Sequence, residues 1–312
     1  MEAPATGLPE TSWQLSAPES YALLNGPNAS GAETLKLALV ELVGRGVLKL
    51  GEVEQSGFLG RTTGTSVLTR GDGSRFSVPS QGPLRTVLEV FETTPPKTFP
   101  DGTSGVPVSE LAAAVVRRSG SLDRFVKDEV LVELERRGLY EREERRVLWV
   151  FRTTQWRLTP VGQQAREELL RLMQLGDQEF GDWVDDQPGQ ALAYMAVAGS
   201  ALFLMSDVYP DLHRLRREVP ADAGMDTSGA FVGTSGSDNP DMGGLPSFNF
   251  DFDLSVFDSL GSALSAIESG ISSGIGGGDG GDGGDGAGDG GGFDGGGGGD
   301  GGGGDGGGGG GE

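Results

Sequence analysis

Gly270-Ile271-Ser272-Ser273-Gly274 has the G-x-S-x-G spacing of a nucleophile elbow. In that motif a serine on a sharp strand-to-helix turn attacks an acyl carbon while a histidine takes its proton. Here the five residues close a Ser-rich stretch with helical spacing and lead into glycine, and the chain has one histidine, His213, placed beside Arg214. The elbow therefore reads as a coincidence of spacing, and His213 as the end of a surface helix. Gly60-Arg61-Thr62-Thr63-Gly64-Thr65-Ser66 has the glycines and hydroxyls of a phosphate loop but lacks its lysine and its spacing, so a hairpin is expected there. Gly281-Asp282-Gly283 and Gly284-Asp285-Gly286 offer oxygen ligands like those of calcium-binding repeats, without the apolar residue each repeat needs to build a core. Cysteine is absent, which excludes disulfides, thiolate catalysis and Cys-based zinc sites, and one histidine excludes a multi-His metal centre. No catalytic set, cofactor or metal site is expected.

Two groups of residues remain that could bind rather than react. Phe248, Phe250 and Phe252 alternate with Asn249, Asp251 and Asp253, and Val256, Phe257, Leu260, Leu264, Ile267 and Ile271 follow at helical spacing. Phe248, Phe250, Phe252, Phe257 and Leu260 are the candidate protein-binding anchors, kept in water by the acids between them. The second group is basic: Arg136, Arg137, Arg142, Arg145 and Arg146, with Arg152 and Arg157 beyond. On a winged helix these would meet nucleic acid through a helix in the major groove and a wing on phosphate. Asp128, Glu129, Glu133, Glu135, Glu141, Glu143 and Glu144 are interleaved with them, and alternating signs favour ion pairs on a solvated surface.

The elements that would position these groups follow from periodicity. Ala32–Val43 carries Leu35, Leu39, Leu42 and Val43 on one helical face and stops at Gly44-Arg45-Gly46. Strands are expected at Val47–Leu50, Ser66–Thr69 and Arg75–Val78, with Gly71–Ser74 turning between the last two. A helix opens at Pro83 with Leu84, Val87, Leu88 and Phe91 inward. After the Pro- and Gly-rich stretch 93–105, helices are expected from Ser109 to Val116 and over 121–137, where Gly138 stops the chain. Glu141–Arg146 reads as a charged turn and Val147–Phe151 as a strand. Thr159-Pro160 opens a helix over 161–175. Ala191–Met205 is an apolar run of 15 residues, short of the roughly 20 that span a bilayer. It reads as a buried helix, with membrane contact as the alternative. Trp149 and Trp156 read as packing around the strand, and Trp183 as helix packing or a docking residue.

The fold class expected is mainly α with short β wings: two winged-helix-like units plus C-terminal helices, then a disordered Gly/Asp-rich tail. The boundaries are a disordered leader at 1–19, a first unit at 20–92, a linker at 93–105, a second unit at 106–176, C-terminal helices packing on the body at 177–220, and a disordered acidic tail at 221–312 with an amphipathic island at 248–271. Helix-Arg-Gly-strand recurs at Leu42–Leu48 and Leu134–Tyr140, the trace of a repeat of the unit. Charge divides along the same line. Residues 1–220 hold 24 basic and 30 acidic side chains, whereas 221–312 hold 16 acidic and no basic ones. That polyanion opposes general affinity for nucleic acid and anionic lipid.

Tyr21-Ala22-Leu23-Leu24-Asn25-Gly26-Pro27, the Leu35–Leu50 helix with its Arg-Gly stop, the Leu84–Phe91 helix, Leu158-Thr159-Pro160-Val161-Gly162, and the Phe248–Ile271 island running toward Gly-Gly-Phe293-Asp294-Gly carry a resemblance. The chain resembles the cytosolic regions of bacterial predicted membrane proteins of unknown function that end in glycine-rich tails. Clear membrane spans are missing here, so their topology is not carried over. The stretch Arg146–Thr159, the helix 161–175 and the run 191–205 followed by Tyr209-Pro210-Asp211 are also similar to the Golgi phosphoprotein 3 type fold, a family that includes phosphoinositide binders. Three functions are weighed: a non-enzymatic adaptor whose tail presents the island to a protein partner or back to the body, a winged-helix DNA-binding regulator, and a peripheral membrane (phosphoinositide-type lipid) binding protein. Met1–Ser20 has no secretory signal pattern, so a cytoplasmic, or membrane-associated, location is expected.

Overall fold

A computed structural model describes residues 15–56, 62–71, 80–147, 151–205, 211, 214–215 and 254–276. The chain is mostly helical with antiparallel strands. Helix α1 (Ala17–Asn25) starts at Ser16, whose backbone N–H donates to Glu19 Oε2 at 2.6 Å three residues on. That reciprocal arrangement satisfies donors that a helix N-terminus otherwise leaves open. Helix α2 (Gly31–Gly44) is capped by Ser30 and ends at Gly46, φ +64°, a conformation glycine adopts without strain. The expected face of Leu35, Leu39, Leu42 and Val43 is buried, and so are Leu37 and Val40 off that face. A helix buried around most of its circumference belongs in the middle of a fold.

Strands β1 (Leu48–Ser56) and β2 (Thr62–Arg70) pair antiparallel from Leu48 opposite Arg70 to Ser56 opposite Thr62. This antiparallel pairing fits the hairpin expected near 60–66. Val67 and Leu68 of β2 also pair with Pro107 and Val106, so both edges of β2 are taken there. The turn expected at Gly71–Ser74, beyond Gly71, and the strand expected at Arg75–Val78 lie outside the described residues. Helix α3 (Pro83–Thr93) buries Leu84, Val87 and Leu88 as expected. Within the stretch read as a linker, 93–105, the chain forms β3 (Lys97–Thr98) and begins β4 (Ser104–Pro107), giving a four-stranded sheet in the order β1-β2-β4-β3. Phe99 packs with Val53 and Val67, which supplies the apolar anchor that the Pro/Gly composition concealed.

Helix α4 (Val108–Ser119) starts one residue before the expected Ser109 cap. The helix read at 121–137 is present as α5 (Leu122–Phe125), a π-helical stretch (Val126–Leu131) and α6 (Val132–Arg136), ending at Gly138 with φ +74°. Strands β5 (Tyr140–Val147) and β6 (Phe151–Leu158) then form a separate two-stranded ribbon. This corrects the reading of Glu141–Arg146 as a turn and of Val147–Phe151 as one strand. The charged residues are the strand, held by cross-ribbon pairs such as Arg157–Glu143 at 3.2 Å, and Val147 stands in register opposite Phe151, with 148–150 outside the described residues.

Helix α7 (Pro160–Asp186) has the Thr159 cap, whose Oγ1 accepts from Gly162 N–H at 3.0 Å, and runs past the expected stop at 175. The boundary drawn at 176/177 therefore falls inside one helix. Helix α8 (Pro188–Ala198) ends at Gly199, φ +53°, and a 3-10 turn (Gly199–Leu204) completes the apolar run read as one helix over 191–205. Helix α9 (Leu254–Gly276) lies within the acidic tail. The main core joins Leu35, Leu39 and Leu42 of the first block to Leu111, Val115 and Phe125 of the second, and Phe180, Tyr194 and Ile267 share it. A second core gathers Leu23, Val130, Leu134, Tyr140 and Leu169 around α1.

Candidate functional site

The site is the groove where α9 meets α2 and α4. Helix α9 is a poor helix on its own account: its 23 residues include 4 Gly and 7 Ser, each less helix-favouring than Ala. What orders it is one seam. Leu264, Ile267, Ile271 and Gly274 recur at spacings of three, four and three, which keeps them on one face. Ile267 and Ile271 are buried in the main core and Leu264 is half-buried against it, while Ser265, Glu268, Ser269, Ser272 and Ser273 face solvent.

Gly270 and Gly274 set how near α9 approaches α4. A Cβ on Gly270 would sit 2.7 Å from Val108 Cβ, and one on Gly274 would collide with the Ser109 carbonyl oxygen. The two glycines let backbone meet backbone, and their four-residue spacing is one helical turn. This is the physical content of the G-x-S-x-G pattern: it lies in an unbroken helix, with Ser272 exposed. The small-residue spacing was legible in the sequence, but only beside an amphipathic helix does it mean close packing.

The polar surroundings fit the charge division of the chain. Helix α9 belongs to the segment without Lys or Arg, so the body supplies cations to it. Lys36 of α2 lies 2.7 Å from Glu33 and 4.0 Å from Glu268 of α9. At the C-terminal turn of α9 a groove of about 560 Å3 is lined by Lys97, Ser109, Glu110, Arg117 and Ser273. Lys97 pairs with Glu110, while Arg117 is exposed and makes no ion pair with the described residues. Positive charge near a helix C-terminus is favourable because the peptide dipoles end there with partial negative charge.

Of the anchors expected from the sequence, Phe257 and Leu260 lie in the first half of α9, and Phe248, Phe250 and Phe252 lie outside the described residues. Arg136 pairs with Glu133, and Arg137 reaches Glu133 Oε1 at 3.0 Å and Glu19 Oε1 at 3.3 Å. Arg142 lies 3.0 Å from Glu135 and stacks on Trp156, 4.7 Å from the ring centroid. Arg145 and Arg146 stand in β5 opposite Thr153 and Arg152. Trp183 is a packing residue, 6% exposed and against Tyr194. Trp149 and His213 lie outside the described residues.

Two buried carboxylates, which the sequence reading passed over, hold the body together. Glu41 is fully buried on α2; its Oε2 accepts from Ala17 N–H at 2.6 Å, and its Oε1 accepts from Ser200 Oγ at 2.7 Å and from Arg45. Glu19 on α1 accepts from Ser16 N–H and Oγ. Burial pushes the Glu19 carboxyl above its ordinary value of 4.5, against the opposing pull of Arg137 and the Ser16 hydrogen bonds. Burial, with Asp177 adding to it, likewise pushes the Tyr194 hydroxyl up. A glutamate in the middle of an apolar helix was the available signal for Glu41.

Among the described residues, no helix is long and apolar enough to cross a membrane, and no group of three or more His, Cys, Asp or Glu side chains could hold a metal ion. No protein-family model matches the chain, and no curated protein matches it.

Proposed function

We propose that this protein is a non-enzymatic interaction protein, an adaptor whose helical body retains one half of an amphipathic tail segment and offers the other half to a protein partner. The observation that carries this reading is the burial of Ile267 and Ile271 in the core while the same segment begins, upstream, with Phe248, Phe250, Phe252, Phe257 and Leu260. Docking the C-terminal half fixes where the helix starts, and a helix with apolar anchors on one face is a common ligand for a partner's groove. The element order of 106–176 supports a winged-helix-like unit used as a scaffold. The ion pairs of Arg136, Arg137 and Arg142 with carboxylates support structural use of the ribbon over contact with nucleic acid. A cytoplasmic setting fits this role.

The test is affinity capture with the full chain and with Phe248, Phe250, Phe252, Phe257 and Leu260 all changed to Ala. The expected result is loss of one or more partners from the variant. Identical partner sets would remove these residues from the mechanism.

A further inference from the structure

The chain has one Asn-Gly step, Asn25-Gly26, and it stands where helix α1 ends. Glycine has no side chain to shield its backbone nitrogen, so in this dipeptide that nitrogen can reach the asparagine side-chain carbon and close a five-membered ring. Asn25 is exposed, and a Cβ on Gly26 would meet nothing within 4 Å, so water and space are at hand. Two hydrogen bonds hold the pair in an unreactive form. Gly26 N–H donates to the Ala22 carbonyl, closing the last turn of α1, and Asn25 Nδ2 donates to the Tyr21 carbonyl at 2.9 Å. The Asn25 backbone, φ −93° and ψ −9°, is turned so that the Gly26 nitrogen points away from the side chain. Ring closure needs ψ rotated out of this region and the bond to Ala22 broken. Ala22 and Leu23 belong to the second core, so packing holds that opening in check.

We infer that Asn25 is a site of spontaneous covalent modification, converted to aspartate and iso-aspartate at a rate set by opening of the last turn of α1. In the opened turn the Gly26 nitrogen attacks Asn25 Cγ. A new C–N bond forms, the Cγ–Nδ2 bond breaks, and Nδ2 leaves as ammonia with the proton that the Gly26 nitrogen gives up. Water then adds to one of the two ring carbonyls and opens the succinimide, leaving aspartate or, with the main chain routed through Cγ, iso-aspartate. Nothing is oxidised or reduced, and water is the only co-reactant. Either product puts a carboxylate at the C-terminus of α1, where the peptide dipoles already end in partial negative charge. Iso-aspartate also lengthens the main chain by one carbon just before the 3-10 turn Gly26–Asn28 that leads to α2. The modification therefore opposes reclosing of the turn that produced it.

The test is peptide mass spectrometry of the full-length chain held in mildly alkaline buffer, folded and in guanidinium, with Asn28, which precedes Ala29, as the internal comparison. Fragmentation assigns the mass gain of amide to acid to one asparagine or the other. In guanidinium Asn25 is expected to convert at least about tenfold faster than Asn28, and Gly26→Ala is expected to remove that excess. The folded chain is expected to convert at Asn25 at least about tenfold more slowly than the unfolded chain, and still measurably over weeks. Equal rates at Asn25 and Asn28 in guanidinium, equal rates at Asn25 folded and unfolded, or a folded chain that never converts would each overturn the inference.

Discussion

Helices α8 and α9 both bring the C-terminal half of the chain back onto the body, and they are held by different means. Tyr194 of α8 is fully buried between Phe180 and Trp183, with ring centroids 5.6 Å from each, and its hydroxyl donates to the Leu172 carbonyl at 2.9 Å. Gly176 leaves the space for that hydroxyl, and Ser200 in the following turn bonds to Glu41. Helix α9 has no aromatic residue among its described side chains; Leu264, two isoleucines and two glycines hold it. Aromatic anchors bury large areas and, when their polar ends are satisfied, fix one geometry. A glycine seam gives close approach with little buried area, and is easily spoiled. The difference predicts that α8 is fixed in the core and that α9, whose isoleucines share that core, is the more easily released of the two.

The largest expected effect breaks the α8 side. Tyr194→Ala should lower the free energy of unfolding by about 3–5 kcal/mol, measured by denaturant titration of the whole chain. Glu41→Ala, which strips acceptors from Ala17 N–H, Arg45 and Ser200, should cost about 3 kcal/mol in the same titration. Gly274→Leu should leave the main unfolding midpoint nearly where it is, while α9 becomes the site most readily cut by a protease. A Gly274→Leu loss as large as that of Tyr194→Ala would erase the distinction between the two helices.

Smaller effects sharpen it. A carboxyl raised in the folded state binds its proton more tightly folded than unfolded, so its stabilising contribution is complete below the ordinary value of 4.5 and is lost as pH rises through the raised folded value. Glu19→Gln should therefore flatten the fall of body stability with rising pH above 4.5, with α9 protection unchanged; an unaltered slope would assign the pH dependence elsewhere. Arg142→Ala, removing an exposed pair and a stacking contact on the β5–β6 ribbon, should cost less than about 1 kcal/mol, read as a shift of the thermal midpoint.

Much of the helical frame was legible in the residues. Gly46 and Gly138 marked helix ends, Thr159-Pro160 marked the start of α7, and the stripe of Leu84, Val87 and Leu88 marked α3. These are local signals. What escaped depends on partners distant in sequence. Strand β4 exists because β2 offers it an edge, and the charged strand β5 exists because β6 supplies its register and, at Arg157, a partner for Glu143. In the candidate site the apolar spacing of Ile267 and Ile271 was readable. The meaning of Gly270 and Gly274 was not, since it required Val108 and Ser109 of α4 to be known as neighbours.

The central claim, that α9 is a bound segment on a permanently folded body, is tested most directly by amide hydrogen exchange on the full-length chain as a function of denaturant. The account predicts that α8 amides exchange only through global unfolding, whereas α9 amides exchange through a lower-energy opening that is nearly independent of denaturant, and that Gly274→Leu abolishes α9 protection without altering α8. If α9 and α8 instead share one opening free energy, and lose it together in Gly274→Leu, α9 is core and the account is contradicted.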